Sequence, residues 1–487
     1  MSLKRRALNG IFWNLASALG KGGLNLIVTM VLSRFLPPAD FALFALIVAV
    51  TAISEVFIDC GFGQAIIRTV NPRQNALSTL FFINISVSAA IYVVLFALTP
   101  WFLEYFTFSG YIWQVRVAFL VLIFDSLAMV QSALFSKRMA FKPVTISLLA
   151  SSSAGAILAF LTLWCNGGNW SLIVNLLVIS MVRSGMMWGF SDWRPSFCFS
   201  LSEVRPYCVF GGFLLLTGVL DQLCTSLETF IIGKSYTKNN LAFVARARDL
   251  NAQINQQMLP IFMKVFYPAL SLLQDDESRM KEAYRKALCA LISFAVVPVF
   301  IMICCSESMI IALFGEAWAE AAGYLRIICL FSLLYPLQVL CSNIFLVKNR
   351  TDLYFFIGLG KQLVRIAAFC TTCYFSIIVF VWGMSLVGIA GAIALIFFSS
   401  RLLHYTLREI VEDIFPVFLI GLFCSALVWG TGKFLQGCSS WIQLSIEVTE
   451  FCVVYGGCCW LFRVPGFILI KNILAERVNL TLRKRNG

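Results

Sequence analysis

The sequence predicts an all-α integral membrane protein of about fourteen transmembrane helices, and three observations carry that reading. Of the 487 residues, 60% are apolar and only 13% charged, against about half and a quarter in soluble domains. Long apolar runs recur along the whole chain. The basic residues between those runs alternate in density, as the two sides of a membrane require.

A hydrocarbon core of about 30 Å takes roughly 20 helical residues, and lipid offers nothing to an unpaired backbone group, so such runs must be helices. Fourteen runs qualify: 11–33, 40–60, 78–103, 112–136, 142–164, 169–190, 208–232, 243–270, 287–313, 321–346, 354–376, 378–402, 413–432 and 441–464. With the N-terminus inside, cytoplasmic segments hold 25 Lys and Arg, among them Arg68, Arg73, Lys137, Arg138, Arg183 and Arg194, while external loops hold only Arg34, Lys234, Lys238 and Lys433. Both termini are thereby placed in the cytoplasm. The same loops account for the net charge of +13, because basic loops face anionic head groups, and no nucleic-acid partner is needed. The start, MSLKRRALNGIFWNLASALG, is basic, but its apolar run continues past Lys21 without a small-residue cleavage site, so it reads as a retained first helix.

Composition excludes several chemistries. The single histidine, His404, leaves no imidazole set for a catalytic triad or a poly-histidine metal site. Most of the 17 cysteines lie in apolar runs, where Cys acts as a small hydrophobe, and the CxxC pair Cys370 and Cys373 has no second pair beside it. Neither metal nor cofactor is expected. The longest loops are too short for a catalytic domain, which argues against an enzyme; a membrane glycosyltransferase using only Asp, Glu, Arg and Lys is the competitor of that class.

Charge inside a span is expensive, so an intramembrane ionisable group signals function. Four helices carry polar stripes at helical spacing. Helix 1 aligns Asn14, Ser17, Lys21, Asn25 and Thr29, with Arg34 at its outer end; helix 2 aligns Thr51, Glu55 and Asp59. Helix 7 carries Asp221, Thr225 and Glu228, and helix 8 carries Arg246, Arg248, Asp249, Gln253, Gln257 and Lys264. Pairing between helices is the competing reading of any single residue. For the whole set it is weak, because polar contacts in membranes average only about 0.6 kcal/mol. One wet, charged cavity is the better explanation. Arg326, Lys361 and Arg365 add charge to helices 10 and 11.

The segment TMVLSRFLPPADFALFA from Thr29 aligns without gaps on TFIIGKSYTKNNLAFVA from Thr229. Identities fall at Thr29, Ala42 and Ala45, and the helix-loop-helix context matches. Six helices lie between the copies, so both enter the membrane in the same direction, which predicts two pseudo-symmetric six-helix lobes with the cavity at their interface. The domain reading follows: helices 1–6 over 1–200, helices 7–12 over 201–410, helices 13 and 14 over 411–465, and a basic cytoplasmic tail over 466–487. Pro260 and Pro268 are bending points for rocking of the lobes.

Three segments resemble the polysaccharide transporters, or Wzx-type flippases, of the multidrug/oligosaccharidyl-lipid/polysaccharide superfamily: VLSRFLPPADFALF (Val31 to Phe44) with DCGFGQAIIR (Asp59 to Arg68), VFYPALSLLQDDESRMKEAYRKAL (Val265 to Leu288), and LFGEAWAEAAGYLRIICL (Leu313 to Leu330). The resemblance implies a V-shaped pair of lobes that moves undecaprenyl-diphosphate-linked oligosaccharide from the cytoplasmic to the periplasmic leaflet for surface or exopolysaccharide synthesis. The substrate's diphosphate needs cations, which Lys21, Arg34, Arg246, Arg248 and Lys264 supply. Its sugars need amides, which Asn14, Asn25, Gln253 and Gln257 supply. Glu55, Asp59, Asp221, Glu228 and Asp249 are candidates for a coupling H+ or Na+, or for charge balance. By fold alone, helices 13 and 14 are expected to form a groove for the lipid tail. Expected partners are the lipid-linked oligosaccharide, membrane lipids, a polysaccharide polymerase and a chain-length regulator. Alternatives are a peptidoglycan-precursor (lipid II) flippase, a cation-coupled drug exporter, which should show a more acidic cavity, and a scaffold.

Overall fold

The computed structural model describes the backbone of residues 3–69, 71–271, 276–348, 350–435 and 437–468, and every regular element among them is helical. The chain divides into two compact units, Met1–Ala245 and Arg246–Gly487.

The first unit holds α1 (Leu3–Phe35), α2 (Pro38–Asp59), α3 (Phe62–Arg68), α4 (Gln74–Tyr105), α5 (Ile112–Ala118), α6 (Val121–Leu127), α7 (Met129–Lys137), α8 (Phe141–Trp164), α9 (Trp170–Phe190), α10 (Leu201–Ser235) and the first two turns of α11 (Lys238–Ser271). The second holds the rest of α11, then α12 (Glu277–Cys304), α13 (Ser306–Phe314), α14 (Ala321–Ser332), α15 (Tyr335–Val347), α16 (Thr351–Thr372), α17 (Ile377–Leu402), α18 (Leu407–Phe434) and α19 (Ser440–Leu461). Helices thus stand at all fourteen expected positions. Among the described residues, twelve are long and apolar enough to cross a membrane, α10 and α11 not being in that set. The protein is a multi-pass membrane protein. The sequence boundaries of helices 9 and 10 each cover two consecutive helices, α12 with α13 and α14 with α15. Most of the expected 466–487 tail lies outside the described residues, as do the side chains of Asn14, Gln257 and Lys264.

The internal repeat has a local structural counterpart. α1 ends at Phe35 and α2 begins at Pro38; 200 residues on, α10 ends at Ser235 and α11 begins at Lys238. At both breaks the residue after the helix keeps one last helical bond, Leu36 N to Leu32 O at 2.9 Å and Tyr236 N to Ile232 O at 3.0 Å. The next helix is then started differently. Pro38 sits in the first turn of α2, where a missing N–H is harmless, whereas the Thr237 hydroxyl accepts from Asn240 N at 3.2 Å.

The fourth span is the one that departs most from an unbroken helix. The run expected over 112–136 is cut into α5, α6 and α7 without a proline or glycine at either cut. There the backbone tightens to three-residue bonds, as in Leu122 N to Phe119 O and Ala128 N to Asp125 O, a pattern that often marks functional segments. Side chains of α9 bond to carbonyls of this segment: Trp188 Nε1 donates to Leu127 O at 2.9 Å and Ser180 Oγ to Val121 O at 3.4 Å.

In the second unit, α18 and α19 pack on α12 and α13. The Ser308 hydroxyl and the Gln443 amide both hydrogen-bond the buried Glu447 carboxyl, and Tyr455 OH donates to Ser293 O at 2.9 Å. Close approach depends on Gly421, where a Cβ would lie 2.2 Å from the ring of Phe300, which is 1% exposed. Overpacking of this kind costs about 1–3 kcal/mol. Gly421→Leu should therefore lower the thermal midpoint of the purified protein by several degrees, read by tryptophan fluorescence on heating. A paired Phe300→Ala change should recover part of the loss.

The first turns of α12 and α18 are clasped together. Arg285 holds Asp413 through two bonds of 2.5 and 2.6 Å, and Lys281 holds Glu409 at 2.9 Å. Glu409 also forms a capping box with Thr406. Tyr405, just before α18, donates to Asp413, and burial together with that carboxylate pushes its phenol well above the usual range.

Candidate functional site

In the first unit, α2 ends at Asp59, and the left-handed pair Cys60 (φ 47°) and Gly61 (φ 71°) turns the chain sharply into α3. Gly61 takes this conformation freely. The turn lets Asp59 Oδ1 accept from Gly63 N at 3.3 Å. Asn84 of α4 donates through Nδ2 to Ile58 O at 2.7 Å, which fixes the end of α2 from the other side.

Between these elements and α6 to α9 lies a cavity of about 520 Å³. Glu55 and Gln64 are exposed on its wall, whereas Asn84 and Ser126 are buried in it. Asp125 and Arg183 face each other there, with Arg183 Nη2 2.7 Å from Asp125 Oδ1, and Ser180 donates to the same oxygen. Lys21 of α1 is exposed and lies within electrostatic reach of Glu55, Asp125 and Arg183. Four helices thus bring two cations and two carboxylates together in one membrane-spanning unit.

The structure therefore joins Lys21, Glu55 and Asp59 of the expected set. Asn25 and Arg34 are exposed further along α1. On α10, Asp221 is exposed and Glu228 is buried at 8% exposure, one turn from Thr225, whose hydroxyl donates to the Asp221 carbonyl at 2.9 Å. In the second unit, Asp249 interacts electrostatically with both Arg246 and Arg248. Arg246 is buried, its guanidinium 5.3 Å from the rings of both Phe314 and Trp318, a geometry that stabilises a cation in a poorly hydrated place. Gln253 is half-buried on the same helix.

Two residues of the cluster were not expected. Asp125 stands in LVLIFDSLAMV and Arg183 in VISMVRSGMM. Each is a single charge within an apolar run, the signal that singled out the other site residues. Arg183 was counted with the cytoplasmic loops; it lies instead within α9, seven residues before the end of the helix. Neither residue belongs to a stripe, because the partner of each is on another helix. Among the described residues, no group of three or more His, Cys, Asp or Glu is placed to hold a metal ion.

Comparison with known proteins agrees with this architecture. The chain is 20% identical over 468 residues to the teichuronic acid biosynthesis protein TuaB of Bacillus subtilis, covering 95% of each chain. It is 23% identical over 376 residues to the lipopolysaccharide biosynthesis protein WzxC of Escherichia coli, covering 76% of this chain and 75% of that one. Among solved structures, the inward closed conformation of the lipid II flippase MurJ superposes with a TM-score of 0.75 at 14% identity, over 93% of this chain and 98% of the other. The two chains share one fold. Residues 31–323, more than half of the chain, match the polysaccharide biosynthesis protein family, and the chain belongs to that family.

Proposed function

We propose that this protein is a flippase that carries an undecaprenyl-diphosphate-linked oligosaccharide from the cytoplasmic to the periplasmic leaflet of the bacterial inner membrane. The observation that carries the reading is the cluster of Lys21, Glu55, Asp125 and Arg183 on membrane-spanning helices. A chain that only needed to fill a bilayer would gain little from four such groups, whereas one that moves a large polar head group needs a hydrated, charged path within the membrane. Membership of a polysaccharide biosynthesis family supports a glycan cargo. It acts as a transporter rather than an enzyme.

In this reading, Lys21 holds the diphosphate, and Arg34, Arg248 and Lys264 add positive potential along its path. Arg246, beside the rings of Phe314 and Trp318, positions α11. Glu55, Asp59, Asp221, Glu228 and Asp249 balance these charges and exchange the coupling cation, H+ or Na+, as the site is exposed alternately to the two sides. Asn14, Asn25, Gln253 and Gln257 add amide partners for the sugars. α10 and α11 complete fourteen spans in two six-helix lobes, both termini lie in the cytoplasm, and α18 with α19 accommodates the lipid tail. The released repeat unit passes to a polysaccharide polymerase and its chain-length regulator.

Depletion of the protein in its host should leave lipid-linked repeat units on the cytoplasmic leaflet, protected from glycan-cleaving enzymes added to spheroplasts, with surface polysaccharide lost. Undiminished polysaccharide after depletion, with no accumulated intermediate, would remove the proposal.

A further inference from the structure

The cavity of the first unit is furnished for something other than the diphosphate. Its wall carries three carboxylates, Glu55, Asp59 and Asp125, against one guanidinium, Arg183, so an anion would meet a net repulsion there. A tightly held divalent metal ion is disfavoured too. Arg183 already occupies Asp125 at 2.7 Å, Lys21 lies nearby, and no group of three metal-ligating side chains is present among the described residues.

One further atom points to a ligand. Asn84 is wholly buried on the cavity wall; its Nδ2 is used by Ile58 O, while its Oδ1 has no hydrogen-bond partner. Buried acceptors are nearly always satisfied, and one left open beside a cavity calls for a donor from what occupies it. The cavity also offers the hydroxyls of Ser132 and Ser136 and the apolar side chains of Leu122 and Met187. Acceptors, donors and hydroxyls mixed over apolar patches match a neutral ligand whose groups both donate and accept and whose ring faces are C–H surfaces. The volume, about 520 Å³, lies within the roughly 300–1,000 Å³ of small-molecule sites.

We propose that this cavity is a glycan subsite that receives a neutral, hydroxylated sugar portion of the lipid-linked substrate, with Asn84 Oδ1 accepting from a ring hydroxyl and the Asp125–Arg183 pair bracketing others. The proposal rests on the flippase reading and adds a sugar-reading site separate from the cationic groups that hold the diphosphate. Glycan selectivity then resides in α4, α6, α7 and α9 of one unit in addition to the amides of the Lys21 stripe.

The test uses the full chain in lipid nanodiscs and two probes, the undecaprenyl-diphosphate oligosaccharide of the host pathway and undecaprenyl diphosphate without sugar, each titrated by intrinsic fluorescence. Asn84→Leu and Ser132→Val should weaken binding of the glycosylated probe by at least about tenfold, as expected when a site built for a hydroxyl loses its partner. Binding of the sugar-free probe should stay within about twofold of wild type, because the groups holding its diphosphate are untouched. Lys21→Gln should weaken both probes. Ser132→Val leaves the Asn84 bond to α2 intact, so it keeps the test valid should Asn84→Leu misfold. Equal loss for both probes, or unchanged binding of the glycosylated one, would overturn the subsite alone. A wild-type chain that binds neither probe would overturn the flippase reading with it.

Discussion

Replacing Lys21 by Gln should slow translocation of the lipid-linked oligosaccharide by roughly ten- to a hundredfold, the loss expected for one charge-assisted hydrogen bond of about 1.5–3 kcal/mol. Lys21 is exposed on α1 and sits beside Glu55, Asp125 and Arg183. Its ammonium thus has two carboxylates and one like charge as neighbours and remains exposed, as a group must be if it is to exchange partners during a cycle. Lys21→Arg keeps the charge and should retain most of the rate, whereas Lys21→Glu should abolish it. Rates would be read in proteoliposomes at matched protein content, with elution and melting profiles checked against wild type. A neutral variant moving substrate at the wild-type rate would remove Lys21 from the substrate path.

The second large effect concerns stability. Arg183→Leu strands the Asp125 carboxylate in a membrane-spanning unit, and stranding one member of a fully buried pair costs about 3–5 kcal/mol. Here the two side chains are 33% and 23% exposed, so screening by water reduces the expected loss to about 1–3 kcal/mol. Asp125→Leu should cost a similar amount. The double change should be more stable than either single, because no charge is then left without a counterpart. Thermal unfolding of the four proteins in one detergent measures this. Additive losses would mean that the two groups do not act as a pair.

How much of this was legible in the sequence depends on where the information sits. Helix positions were readable because the length and apolarity of a run decide whether it spans, whatever its neighbours are. The repeat was readable from Thr29 and Thr229 onward, and the helix breaks at residues 36–37 and 236–237 fall in the same register. Breaks inside the fourth span were not readable. They occur without proline or glycine, and the tightened backbone is supported by Trp188 and Ser180 from another helix. The site divides in the same way. Lys21, Glu55 and Asp59 stand on stripes within one helix and were found by spacing. Asp125 and Arg183 become partners only when α6 and α9 pack together, and Asn84 stands out only because its Oδ1 meets no donor. Arg246 was readable as an intramembrane charge, but not as a guanidinium beside the rings of Phe314 and Trp318.

The central claim is that this chain moves a lipid-linked glycan across a bilayer, and reconstitution tests it most directly. Purified protein would be placed in vesicles carrying a fluorescent undecaprenyl-diphosphate oligosaccharide in both leaflets, and a membrane-impermeant quencher added outside. Protein-dependent exchange should bring nearly all of the probe within reach of the quencher, with the Lys21→Gln protein lagging far behind. If quenching stops at the outer-leaflet half in vesicles with and without protein alike, under imposed H+ and Na+ gradients of either sign, the chain is not a flippase for this substrate.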